Sequence, residues 1–266
     1  MIISDEHRYV FIAQPHTACS AIQTEHRRMY GGRPILEKHA TYAAFIRRAT
    51  PEQKGYFVFS GIRDPLDEAV SLYFKYRTDH KGRYSARLPV LAERQREAFE
   101  LVAAEEADFA SYLRRFYRRP YDNDTIVYHK HMDHIIRFEH LQEDFSAALG
   151  HIGLEQVRPL PLVNQTTRRG SYLEQYPADL WPHAAKVFGP FMRKWGYELP
   201  SAWVGVTVPR SSMVAFRLLS PLRFVYRRYV RLGSLDVERR PTSRLGRAIA
   251  AVMRPIDRAM HRLFGH

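Results

Sequence analysis

Residues 8–13, Arg-Tyr-Val-Phe-Ile-Ala, make a short apolar run that stops at Gln14-Pro15, and a helix-compatible stretch follows from about Ala18 to Tyr30, closed by Gly31-Gly32. The phrase then returns. Gly55–Ser60 reads as a second strand, and Pro65 suits the first turn of a helix running to about Arg77. A chain that repeats strand, turn and helix buries its strands between helices, so the expected fold is an α/β sheet, largely parallel. The remaining segments agree. Ala40–Arg48 predicts a short helix, and Leu91–Tyr117 one long or two short helices. Thr125–Tyr128 and His134–Phe138 read as short strands. Glu139–Leu149 reads as a helix ended by Gly150, and Pro177–Trp195 as one ended by Gly196. The polar, basic stretch His80–Pro89 reads as a loop.

The single cysteine, Cys19, excludes an internal disulfide framework and suits a reducing compartment. No uninterrupted run of about 18 apolar residues predicts a spanning helix, and Tyr9–Ala13 is too short for a signal peptide. The expected location is the cytoplasm. The net charge of +13 is unevenly held. Pro209–His266 carries 13 Arg, no Lys and 3 acids, a net of +10, which leaves +3 for the preceding 208 residues. A nucleic-acid enzyme more often spreads basic charge over its active face, so this division speaks for an anionic surface or partner instead. The division also sets the expected domains: an α/β body over 1–200 and a basic helical extension over 201–266.

Two turns carry the candidate chemistry. The first, Gln14–Ile22, has small or hydroxylated residues, so an anion could approach its backbone at the helix start; the plain alternative is a capped turn. It contains neither Gly-Lys-Ser/Thr nor Gly-x-Gly-x-x-Gly, which removes the main support for ordinary nucleoside triphosphate hydrolysis and for dinucleotide binding. In the second, Arg63 closes the strand and Ser71 stands eight residues on, a little over two helical turns, so both could face one anion.

These residues resemble the sulfotransferases that use 3′-phosphoadenosine 5′-phosphosulfate (PAPS), in particular the carbohydrate enzymes and their bacterial relatives. Ile62-Arg-Asp-Pro65 with Val70-Ser-Leu-Tyr73 matches the phrase whose Arg and Ser hold the 3′-phosphate in that family. Ile135–Leu141, Asn164–Gly170 and Phe191–Tyr197 are similar to later family segments, so the resemblance spans about Tyr9–Tyr197. It implies a P-loop-like core. It also implies a donor site at Pro15, His16, Thr17, Ala18, Cys19, Ser20 and Ala21, with Arg63, Ser71, Arg168, Arg169 and Gly170 around the 3′-phosphate, and no metal. His39, in Glu37-Lys-His-Ala-Thr-Tyr42, is similar in position to the family's catalytic base; its bland reading is a surface histidine beside Lys38. The family's loop has Lys where this chain has His16. A protonated His16 would supply the missing charge, and Arg33 or Lys38 are the other cations near in sequence. The implied reaction is sulfuryl transfer from PAPS, leaving adenosine 3′,5′-bisphosphate (PAP), to a hydroxyl on a carbohydrate or glycolipid. The alternatives are a non-catalytic nucleotide-binding or scaffold protein and a small-molecule kinase.

Cys19 reads as loop packing rather than a nucleophile, since no partner pattern accompanies it. His129, His131 and His134 read as a metal site, an acceptor contact or a polar loop. In the extension, Leu245, Ile249, Val252, Met253, Ile256, Met260, Leu263 and Phe264 recur at three- and four-residue steps opposite arginines. Phe216–Leu232 mixes the same residue types. Such a basic amphipathic segment either meets an anionic membrane surface or packs on the body or a second subunit.

Overall fold

The structure, a computed structural model, describes residues 1–86, 93–123, 131–161 and 170–225. Their chain divides into two compact units, the first of residues 1–63, 123, 131–161 and 224–225, the second of 64–86, 93–122 and 170–223. The expected strand at Thr125–Tyr128 and the amphipathic segment beyond 225 lie outside the described residues.

Among the described residues, the first unit holds a five-stranded sheet in the order β3-β1-β2-β4-β5: β1 Ile2–Ser4, β2 Tyr9–Ile12, β3 Arg33–Pro34, β4 Phe57–Ile62 and β5 His134–Arg137. β2, β4 and β5 run parallel in register, Tyr9 opposite Phe57 and Phe59 opposite His134. β1 is antiparallel to both β2 and β3, so the sheet is mixed rather than mainly parallel. The departure comes from the hairpin that folds Ile2–Ser4 back on Tyr9–Phe11, which needs no crossover helix.

Period-two alternation gives the sheet two apolar faces. Tyr9, Phe11 and Phe59 pack with Ile22 of α1 (Cys19–Met29) and Phe145 of α6 (Leu141–His151). Val10, Ile12 and Val58 pack with Phe45 of α2 (Tyr42–Arg48). A sheet covered on both faces reads as continuous apolar runs, which is how β2 and β4 look in sequence. Within the first face, His26 of α1 lies fully buried among the rings of Tyr9, Phe11, Phe59 and Phe145. The Tyr9 hydroxyl donates to Tyr30 O at 2.8 Å, so His26 Nδ1 donates to it at 3.0 Å and Nε2 keeps its lone pair, with no hydrogen-bond partner among the described residues. Burial drives the His26 pKa down to about 3, so the ring is neutral at physiological pH.

The second unit is helical: α3 Pro65–Arg77, α4 Glu93–Phe99 continuing into a π-helical segment Glu100–Ala104, α5 Phe109–Phe116, α7 Trp181–Lys194, and most of α8, Arg210–Val225. α3 opens on Pro65 with Asp64 as cap, its Oδ1 accepting from Leu66 N at 2.8 Å. Two helix ends differ from expectation. Gly150 lies inside α6, which runs on to His151 until Gly153, at φ +73°, reverses the chain. Pro177 precedes a 3₁₀ turn, Ala178–Leu180, and the α-helix proper begins at Trp181. Gly196, at φ +70°, follows α7 as expected.

Candidate functional site

The carboxyl ends of β2, β4 and β5 bring three segments of the first unit together. After β2, Ala13–Ala18 forms the turn into α1. His16 and Ala18 have φ of +67° and +56° while Thr17 does not, so the sign of φ alternates along the loop. Such alternation turns successive N–H groups toward one side and makes anion-binding concavities. Ala18 is the cap of α1 yet supplies no side-chain hydrogen bond, and the first turn of α1 has no acid. The positive end of the helix dipole is therefore neither capped nor neutralised from within its own turn.

The loop is held from below. The Thr17 hydroxyl donates to Gln14 O at 2.9 Å. Gly61 of β4 leaves the room Thr17 occupies: a β-carbon there would fall 2.5 Å from Thr17 Oγ1. Arg63 is buried, donates from Nη1 to His16 O at 3.3 Å, and stacks its guanidinium over Phe138 at 4.0 Å. Arg63 thus grips the backbone of the loop, and its chain neighbour Asp64 begins the second unit.

The loop is also flanked by residues 38 and 39, which precede α2. Lys38 Nζ donates to Ser20 Oγ at 2.7 Å, and His39 Nδ1 lies 2.8 Å from Ala13 O. A carbonyl only accepts, so Nδ1 carries the proton and the neutral ring has its lone pair on Nε2. One short segment therefore sets an ammonium at one end of the loop and an imidazole at the other. Of Arg33 and Lys38, it is Lys38 that reaches the loop. Arg33 lies in β3 and pairs with Asp5 at 2.5 Å. Fixing Lys38 at Ser20 requires the fold, and no spacing in the sequence announces it.

The other candidates separate. Cys19 faces the core cluster with Tyr9 and Phe11, and burial pushes its thiol pKa up, so its side chain packs and only its backbone faces the turn. Ala21 is likewise buried. Pro15, His16 and Ser20 are half-buried along the loop. Ser71 stands in the middle of α3 in the second unit and is buried. Arg168 and Arg169 lie outside the described residues. Gly170, at φ +81°, leaves space for the Glu174 carboxylate, which closes a capping box with Ser171.

The histidines of the 129–134 stretch diverge. His131 packs against Tyr42 with tilted rings whose centroids are 4.9 Å apart, and His134 Nε2 lies 3.1 Å from Asp144 O. His129 lies outside the described residues, and among the described residues no three His, Cys, Asp or Glu side chains gather as a metal site. His131 lines a cleft of about 550 Å³ with Tyr42, Lys54, Tyr56 and Asp133, at the amino end of β4 and so away from the loop. No family model matches the chain, and neither a curated protein nor a solved structure matches it.

Proposed function

We propose that the chain is a sulfotransferase that moves a sulfuryl group from PAPS to a hydroxyl, on a carbohydrate or a glycolipid, over a P-loop-like core. The reading rests on one observation above the rest: Lys38 and His39 are tethered to opposite ends of an anion-compatible loop whose backbone Arg63 grips from below. The residues fit an anionic donor. The turn has alternating backbone, the helix start carries no acid, and an ammonium stands at Ser20.

The donor, when bound, supplies the sulfuryl group. In-line transfer then asks the protein for a base at the acceptor hydroxyl and positive charge at the departing oxygen. His39, with its Nδ1 proton directed to Ala13 O, offers Nε2 to the hydroxyl proton. Lys38 supplies the charge that the family's loop Lys gives, with His16 beside it. Ser71, Arg168, Arg169 and Gly170 enter as 3′-phosphate residues through the resemblance alone.

Titrating PAP against the full chain should raise the melting temperature, by the equivalent of about 2.7 kcal/mol at a hundredfold excess over Kd. His39→Ala should keep that shift and lose roughly 10²–10⁴-fold in sulfuryl transfer. Lys38→Ala should weaken both. One specific observation favours a second reading, a nucleotide-binding scaffold: His16 replaces the loop Lys. Stabilisation by PAP without turnover on a panel of sugars and glycolipids, unrescued by His16→Lys, would select it. Stabilisation by ATP and not by PAP would select a kinase.

A further inference from the structure

α8 has two unlike faces. Ser212, Phe216 and Arg223 are buried on one side, where Arg223 Nη2 donates to Pro120 O at 2.6 Å. At 100° per residue the opposite side, an arc of about 140°, carries Arg210, Val214, Arg217, Leu218, Pro221 and Leu222, with Ser211 the one small polar residue among them. All of them are exposed; the arginines need no explanation there, but the three aliphatic residues do: Val214 is 55%, Leu218 67% and Leu222 52% exposed. Their four-residue spacing lines them along one edge of the arc, and the two arginines line the other. The helix holds no acid, and the 41 residues that follow it add ten Arg against three acids.

From this we infer that the outer face of α8 docks on an anionic lipid bilayer, lying in the interface plane. Val214, Leu218 and Leu222 enter the acyl boundary, and Arg210 and Arg217 meet lipid phosphates. The charge decides the occupant. Burial of the three aliphatic side chains favours any apolar partner, but a strip on a helix whose charged residues are all arginines, in a segment with a net charge of +10 from Pro209 onward, complements a negative surface and repels a second copy of itself. No helix among the described residues is long and apolar enough to cross a membrane, so the contact is peripheral. The inference is independent of the sulfotransferase reading, since it concerns only binding to lipid.

The test uses the full chain with an environment-sensitive fluorophore on Leu218→Cys; the native Cys19 is buried, which directs labelling to position 218. Vesicles of phosphatidylcholine mixed with phosphatidylglycerol should shift the emission to the blue, and vesicles of phosphatidylcholine alone should not. Salt should weaken the effect. In sedimentation with the mixed vesicles, the double variant Leu218→Asp/Leu222→Asp should lose at least about tenfold in partitioning. Both positions are exposed, so its melting temperature should stay within a few degrees of the parent; equal sedimentation of the two chains overturns the inference. Blue emission already in buffer also overturns it. If that emission rises with protein concentration, a second copy covers the face; if it does not, residues 226–266 of the same chain do.

Discussion

Gly61 and His16 carry opposite kinds of conformational constraint on the same loop. Gly61 is needed for space. A methyl there would collide with Thr17 Oγ1 at 2.5 Å, and Thr17 cannot retreat without losing its bond to Gln14 O. Gly61→Ala should therefore cost about 1–3 kcal/mol in a urea melt and reduce the stabilisation by PAP more than the fold loss alone explains. A melt unchanged from the parent would mean that the loop does not rest on β4. His16 is held in the left-handed region, where a β-carbon costs about 1 kcal/mol. Its carbonyl is fixed by Arg63, which holds the strained turn in place. His16→Gly should stabilise the chain slightly by relieving that strain and, if the imidazole carries charge in the reaction, slow sulfuryl transfer. Strain kept at a residue with functional chemistry is the common pattern at binding loops.

At the scale of elements, α3 shows what a short cap contributes. Asp64 accepts from Leu66 N through Oδ1 and from the Tyr172 hydroxyl through Oδ2, both at 2.8 Å. Asp64→Ala removes the cap and leaves a phenol without its acceptor, so it should cost about 2–4 kcal/mol, and Asp64→Asn about half of that. Chemical denaturation of the three chains measures it. This helix is also the most legible element in the sequence, because Asp64-Pro65 is a start signal independent of packing. β2 and β4 are legible for a related reason, since strands covered on both faces read as near-continuous apolar runs. β1 and β3 are not legible. Three residues and two residues carry no period, and Pro34 argues against a strand; both exist because β2 and β1 offer edges to pair with. The same division holds at the site. Arg63 and the loop stand out in sequence as strand ends, whereas Gly150 misleads because a glycine tolerated inside α6 looks the same as one that ends it. The meeting of Lys38 with Ser20, 18 residues away, is a product of tertiary folding alone.

Across the whole molecule, the response to acid depends on groups buried in neutral form. His26 has its pKa lowered to about 3, against 6.5 in an unfolded chain, so between those values the unfolded state binds the extra proton. Its contribution to stability is complete above pH 6.5 and falls by up to about 1.4 kcal/mol per pH unit as pH drops toward 3. His26→Phe keeps a ring in the aromatic cluster and removes the titration. Its stability should fall with acid by one proton less than the parent's over that range, and parallel pH profiles would show that His26 does not titrate on unfolding. Burial also lowers the His183 pKa, which adds in the same direction in the second unit. The parallel run of β2, β4 and β5 has one more outcome. Every residue proposed to hold the donor in the first unit, except Lys38 and His39, follows a strand's carboxyl end, and those two are anchored to that rim, while the Asp5–Arg8 reversal sits at the other. An affinity tag or fluorescent partner spliced between Glu6 and His7 would thus hang from the far rim of the sheet, giving the experimenter a handle that leaves the loop's entrance open.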